Sequence, residues 1–127
     1  MFLGLRTIIY PAPDLDGLKS WYTRLLRIEP YFDQPFYVGF NVGGYELALD
    51  PDGAVAAGPR TYWGVADADV ALLRLVRSGA VVDQPVRDVG DGIRVATVRD
   101  PAGSIVGIIE NPHFAIDEVQ PGPGPGR

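Results

Sequence analysis

Apolar positions along this chain follow two periods, helical and alternating, and the blocks that carry them occur in the same order twice. Leu3 to Tyr10 is rich in β-branched and apolar residues and stops at Pro11-Ala-Pro13, which predicts a strand closed by a proline-rich loop. Asp14 then stands as an N-cap. From Leu15 to Leu26 the residues Leu15, Leu18, Trp21, Tyr22, Leu25 and Leu26 recur at three- and four-residue steps, so one face of a helix is buried, with Trp21 and Tyr22 in the core. Three short strands follow, Ile28 to Asp33, Phe36 to Val42 and Tyr45 to Asp50, separated by Gln34-Pro35 and by the hairpin signal Gly43-Gly44. They are expected to form an antiparallel meander.

The loop-like stretch Pro51 to Pro59 divides the chain near its middle, and the pattern then begins again. Arg60 to Val65 reads as a strand. Asp67 to Ser78, ended by Gly79, reads as a helix, and Ala80 to Arg87, Ile93 to Arg99 and Ser104 to Glu110 read as three strands. Their turns are Asp88-Val-Gly-Asp-Gly92 and Asp100-Pro-Ala-Gly103. The order βαβββ therefore occurs twice, with a period of about 55 to 60 residues. Each copy is too small to bury its sheet alone, so the two must pair into one domain over residues 1–118, module one at 3–57 and module two at 58–118. The stretch 119–127, mostly proline and glycine, is expected to be disordered.

Composition narrows the chemistry. With 127 residues, 46% hydrophobic and 21% charged, and with no apolar run of the length a membrane span needs, the chain reads as a soluble, cytoplasmic protein. The absence of cysteine removes disulfides, thiolate metal sites and cysteine nucleophiles, and a single histidine, His113, removes any site built on two imidazoles. A net charge of −5 disfavours nucleic acid, because phosphate binding draws on clustered Lys and Arg. Neither glycine-rich turn precedes a helix, so neither is a phosphate loop, and no serine sits in an elbow motif.

Asp14-Leu15, Trp21-Tyr22, Leu26-Arg27-Ile28, the Trp63-Gly-Val65 strand and Asp100-Pro-Ala-Gly103, set in a doubled βαβββ, together resemble the vicinal oxygen chelate superfamily, which includes glyoxalase I, bleomycin-resistance proteins and extradiol dioxygenases. The resemblance covers about residues 3 to 115. It implies an α+β fold in which two modules curl into an open mixed sheet around a central cavity, with helices on the convex side, and it implies a homodimer. Resistance proteins of this kind hold a cationic antibiotic without chemistry, and other members are lyases or isomerases. Arg27 departs from the pattern, which has a helix-ending glycine there. A left-handed cap at Arg27 would cost about 1 kcal/mol, so a different helix end is expected.

Alternation on this fold places Ile8, Leu47, Leu49, Trp63, Val65, Val106 and Ile108 under the helices, and Thr7, Ile9, Glu46, Ala48, Tyr62, Gly64 and Gly107 on the cavity. Metal-dependent members of the superfamily carry ligands near the middle of the first and last strand of each module. Counting back from Asp14 and Asp67 matches those positions to Thr7 and Arg60, and the last strands give Glu46 and Gly107. Aligning on Gly44 and Gly103 instead matches Ala48 with Gly107, so the register of the strand carrying Glu46 stays open. A divalent ion needs three or four His or carboxylate ligands, and threonine, arginine and glycine supply none, so no metal and no other cofactor is expected.

The candidate ligand-binding residues are thus Thr7, Tyr37, Glu46, Arg60, Tyr62 and Gly107, with Glu46 the candidate catalytic residue. Glu46 reads either as an inward carboxylate, contacting a ligand or acting as a general base, or as an incidental hairpin residue. Arg60 reads as its ion-pair partner, as an anion-holding fork, or as an exposed strand-start residue. Tyr37 and Tyr62 are candidates for stacking on a planar ligand or for plain core, and His113 for a loop residue. Gly107 reads as space in the cavity.

Overall fold

The computed structural model describes residues 1–114. The end of the predicted second module and the proline-glycine stretch at 119–127 lie outside them. The first block forms β1 (Gly4–Pro11), α1 (Leu15–Leu26), β2 (Phe32–Gln34), β3 (Tyr37–Val42) and β4 (Tyr45–Asp50); the second forms β5 (Arg60–Gly64), α2 (Ala68–Arg77), β6 (Val81–Gly90), β7 (Ile93–Arg99) and β8 (Ile105–Glu110). All eight strands join one open mixed sheet in the order β2-β3-β4-β1-β5-β8-β7-β6. The expected α+β fold of two βαβββ modules is what the chain adopts.

Each module closes on a parallel pair, β1 with β4 and β5 with β8, and the modules meet where β1 runs antiparallel to β5. α1 covers the first module through Leu15, Leu18, Tyr22 and Leu26, which pack on buried Val38, Phe40 and Leu49. α2 does the same for the second, with Ala68 and Ala71 against Ala96 and Ile108. The Asp14 carboxylate accepts from the Gly17 backbone N–H, and that of Asp67 from those of Asp69 and Val70, so both aspartates cap their helices as expected. On the opposite face Ile9, Ala48, Tyr62 and Val95 form a third buried cluster, the cavity floor.

Several local expectations are corrected. Ile28 to Tyr31 is not strand, and β2 keeps only three residues. β6 runs on through the predicted turn to Gly90, and the hairpin is made by Asp91 and Gly92, both at positive φ (55° and 75°) as a tight two-residue turn requires. Trp21 is 48% exposed, because it lies at the edge of the α1 stripe and only its edge meets Tyr22. Trp63 is half-buried, stacked by Phe2. Arg27 does adopt the left-handed conformation, φ 59° and ψ 34°, and its N–H reaches the Thr23 carbonyl. The helix thus ends as a glycine would end it, with the strain retained.

Candidate functional site

β4 alternates so that Leu47 and Leu49 pack toward α1 while Glu46 and Ala48 face the other way. The ladder sets Glu46 opposite Thr7 of β1 on one side and Asn41 of β3 on the other. Three hydroxyls donate to its carboxylate. Thr7 Oγ1 and Tyr37 Oη reach Oε1 at 3.2 and 2.8 Å, and the Tyr31 hydroxyl donates to Oε2. Tyr31 belongs to the connection before β2 and is tied down by its N–H to the Gly39 carbonyl at 3.0 Å. Gly39 makes the approach possible, since a Cβ there would sit 2.6 Å from Glu46 Oε2 and 3.1 Å from the Tyr31 ring. Both tyrosines are held well above the ordinary phenol value. For Tyr37 burial is the larger cause and the Glu46 charge the next; for Tyr31 burial leads and the hydrogen bond to Glu46 follows.

The ladders fix which residues stand side by side across the modules. Glu46 pairs with Thr7 across β1 and β4, Gly107 pairs with Tyr62 across β5 and β8, and Thr7 faces Tyr62 across the seam. Thr7, Glu46, Tyr62 and Gly107 thus form four related positions, one row across four strands, and a match of Glu46 with Gly107 goes with Thr7 and Tyr62 rather than with Thr7 and Arg60. Matching Glu46 with Gly107 is consistent with both parallel ladders. Arg60 does not pair with Glu46 either. Its guanidinium lies 2.8 Å from Asp50 Oδ2, at the end of β4. Nor does Gly107 mark open space. A Cβ there would meet the Tyr62 ring at 2.5 Å and the Thr61 carbonyl oxygen at 2.7 Å, so the glycine makes room for Tyr62 rather than for a ligand.

Around this group the sheet encloses a cavity of about 840 Å³. Its walls come from both ends of the sheet, Tyr31, Phe32, Phe36 and Tyr37 on one side and Arg87, Val89 and Val95 on the other, which is possible only because the sheet curls. Thr7, Tyr37, Glu46, Arg60 and Tyr62 all line it, as expected. His113 does as well, with its Nε2 2.8 Å from the Asp91 carbonyl oxygen. The sequence reading missed Arg6, Tyr31, Asp50 and Arg87. Alternation assigns Arg6 to the other face, Tyr31 was expected in a strand, and nothing local marks Asp50 as the partner of Arg60. A shallower hollow of about 330 Å³ lies between α1 and β2, lined by Lys19, Thr23, Arg24 and Asp33, and is spanned by the Lys19–Asp33 ion pair.

No known family's sequence model matches this chain, and no curated protein matches it significantly. Solved structures do. Streptomyces coelicolor methylmalonyl-CoA epimerase, in complex with 2-nitronate-propionyl-CoA, superposes with a TM-score of 0.74 at 17% identity, covering 88% of this chain and 99% of that one. A glyoxalase/bleomycin resistance protein/dioxygenase superfamily member from Vibrio splendidus gives 0.66 at 19% identity, covering 84% and 97%. This chain has the vicinal oxygen chelate fold. A third protein with this fold, named as an NAD-dependent benzaldehyde dehydrogenase from Legionella pneumophila, gives 0.64 at 16% identity, covering 81% and 96%. Names so different on one fold show that the fold alone does not choose an activity.

The vicinal oxygen chelate fold carries a divalent ion in its metal-dependent members, so the donor set is the test. Of Thr7, Glu46, Tyr62 and Gly107 only Glu46 is a carboxylate, and its oxygens are already occupied by three hydroxyl donors. Among the described residues no three His, Asp or Glu side chains converge on one point. These residues do not fit a divalent metal.

Proposed function

We propose that this protein binds an organic small molecule in the cavity between its two modules, and that it does so without a metal ion. The observation that carries the proposal is Glu46. It is the one carboxylate of the four related positions, and Thr7, Tyr31 and Tyr37 hold it as a hydrogen-bond acceptor on the wall of a large, aromatic-lined cavity. Three of the roughly four acceptor sites of this carboxylate are taken by hydroxyls, leaving about one on Oε2 for a ligand donor. Cavity size supports the reading too, since organic-ligand sites span roughly 300 to 1,000 Å³.

The second reading is a lyase or isomerase with Glu46 as general base and a tyrosine stabilising the developing negative charge. It is favoured by the phenols Tyr31 and Tyr37, which stay protonated beside the carboxylate and so could donate to an enolate oxygen. One variant separates the two. Under the first reading Glu46→Gln weakens binding of a ligand found by thermal shift about ten-fold and no product forms with either protein. Under the second, turnover collapses while affinity is largely kept. Metal content of the purified chain checks the remaining element: near one equivalent of a transition metal, lost in Glu46→Ala, would sink both.

The assembly we propose is a homodimer in the cytoplasm. Its support is the apolar surface that both helices leave uncovered, Trp21 and Leu25 on α1 and Val70, Leu73 and Val76 on α2, which a second copy could bury. Sedimentation velocity reads the stoichiometry directly. No helix among the described residues is long and apolar enough to cross a membrane.

A further inference from the structure

One of the three arginines in the cavity reaches it through an irregularity in the sheet. Simple alternation would set Arg6 on the helix side, because its neighbour Thr7 faces the cavity. The β1–β5 ladder slips by one residue, however: Leu5 faces Trp63, Thr7 faces Tyr62, and Arg6 between them has no partner. It is the extra residue of a bulge, and a bulge re-aims a side chain. Arg6 accordingly lines the same cavity as Thr7. Its guanidinium lies 3.7 Å over the Phe114 ring, and its other side rests on Gly64, where a Cβ would be 2.5 Å from Arg6 Nε. Glycine at 64 leaves the seat open.

Arg87 enters the cavity from β6, where it pairs with Val95 of the cavity floor. The β6–β7 ladder slips between Gln84 and Arg87 and again between Asp88 and Gly90, and Arg87 lines the cavity between the two slips. The third arginine, Arg60, is neutralised by Asp50. Neither Arg6 nor Arg87 forms an ion pair among the described residues. In a chain of net charge −5, the cavity therefore holds two cationic forks that have no carboxylate partner among the described residues.

We infer that Arg6 and Arg87 form an anion-recognising pole, so that the ligand is an organic anion, an apolar or aromatic body against Tyr37, Tyr62 and Phe114 with a carboxylate or phosphate head on the guanidiniums. This rests on the reading of the cavity as a ligand site. Guanidinium donors bind such heads through charge-assisted, often bidentate hydrogen bonds. At this pole a cationic occupant, as in antibiotic-sequestering proteins of this fold, would meet like charge.

Titration calorimetry on the full chain tests this with four probes of one shape: naphthylacetate, naphthyl phosphate, naphthylacetamide and naphthylmethylammonium. At least one anion binds about ten-fold or more tighter than the neutral amide, the cation binds worst, and the better anion identifies the head group. In the double variant Arg6→Gln/Arg87→Gln the preferred anion binds no better than the amide. If that variant does not fold, Arg87→Gln alone and Arg6→Lys, which keeps the charge but not the fork, each weaken the anion several-fold and leave the amide unchanged. Equal binding of anions and amide, or a preference that survives these variants, overturns the anion pole and leaves the cavity reading standing. Failure of all four probes to bind overturns both.

Discussion

Gly107 and Tyr62 share one volume, and the glycine yields it. Gly107→Ala puts a methyl group 2.5 Å from a ring carbon of Tyr62, which is only 9% exposed, and 2.7 Å from a backbone oxygen that cannot retreat. The expected cost is about 1 to 3 kcal/mol, the range for overpacking a close-packed site, read as a lower urea midpoint at unchanged slope. A change under about 0.5 kcal/mol, the range of neutral surface substitutions, would show that the ring swings aside freely. At this scale alternation was a good guide wherever the ladder is regular. Thr7, Glu46 and Tyr62 line the cavity, and Ala48 its floor, along the regular stretch of ladder from Thr7 onward, where the period of two holds. Arg6 was illegible for the opposite reason: a bulge adds one residue and leaves no mark in the composition of Leu5-Arg6-Thr7. The partners of Glu46 were only half legible. Tyr37 is a neighbour in the sheet, whereas Tyr31 arrives on an irregular segment that no periodicity describes.

Helices were the elements most open to sequence reasoning, since an apolar stripe between an aspartate cap and a stop fixes both ends. α1 spans Leu15–Leu26 as the stripe predicts, and α2 differs from its expected range by a cap residue at each end. Strand ends were harder to place, because β2 and β6 lie at the two edges of the sheet, where one neighbour rather than two defines them. Arg27 is where an element and its sequence disagree. The chain must turn left-handed there to leave α1, and a residue with a Cβ pays about 1 to 2 kcal/mol for that conformation, while glycine would lose about 0.5 to 1 kcal/mol through its greater freedom when unfolded. The difference predicts that Arg27→Gly stabilises the protein by about 0.5 to 1 kcal/mol. Thermal unfolding in parallel with wild type checks the sign, and a lower midpoint would mean that the Arg27 side chain makes contacts worth more than the strain.

For the molecule as a whole, the repeat in the sequence foretold the architecture, because two copies of a unit that cannot bury its own sheet have to share one. What the repeat did not disclose is how different the halves have become. The first contributes a carboxylate held by hydroxyls, the second a tyrosine laid over a glycine, and the cationic forks come from one strand of each. Neither half owns the cavity. Their backbones are joined laterally by one ladder, β1 against β5, and in sequence by the loop from Pro51 to Pro59. Cut within that loop, the chain becomes two peptides, 1–57 and 58–127, each carrying an uncapped sheet edge whose natural mate is the other. Separately each should show little cooperative unfolding; mixed at equal amounts they should regain the circular dichroism and ligand affinity of the intact chain. Independent folding of either peptide would show that the seam is dispensable. If they need each other, the two peptides make a two-component reporter, silent apart and able to bind only once the halves have met.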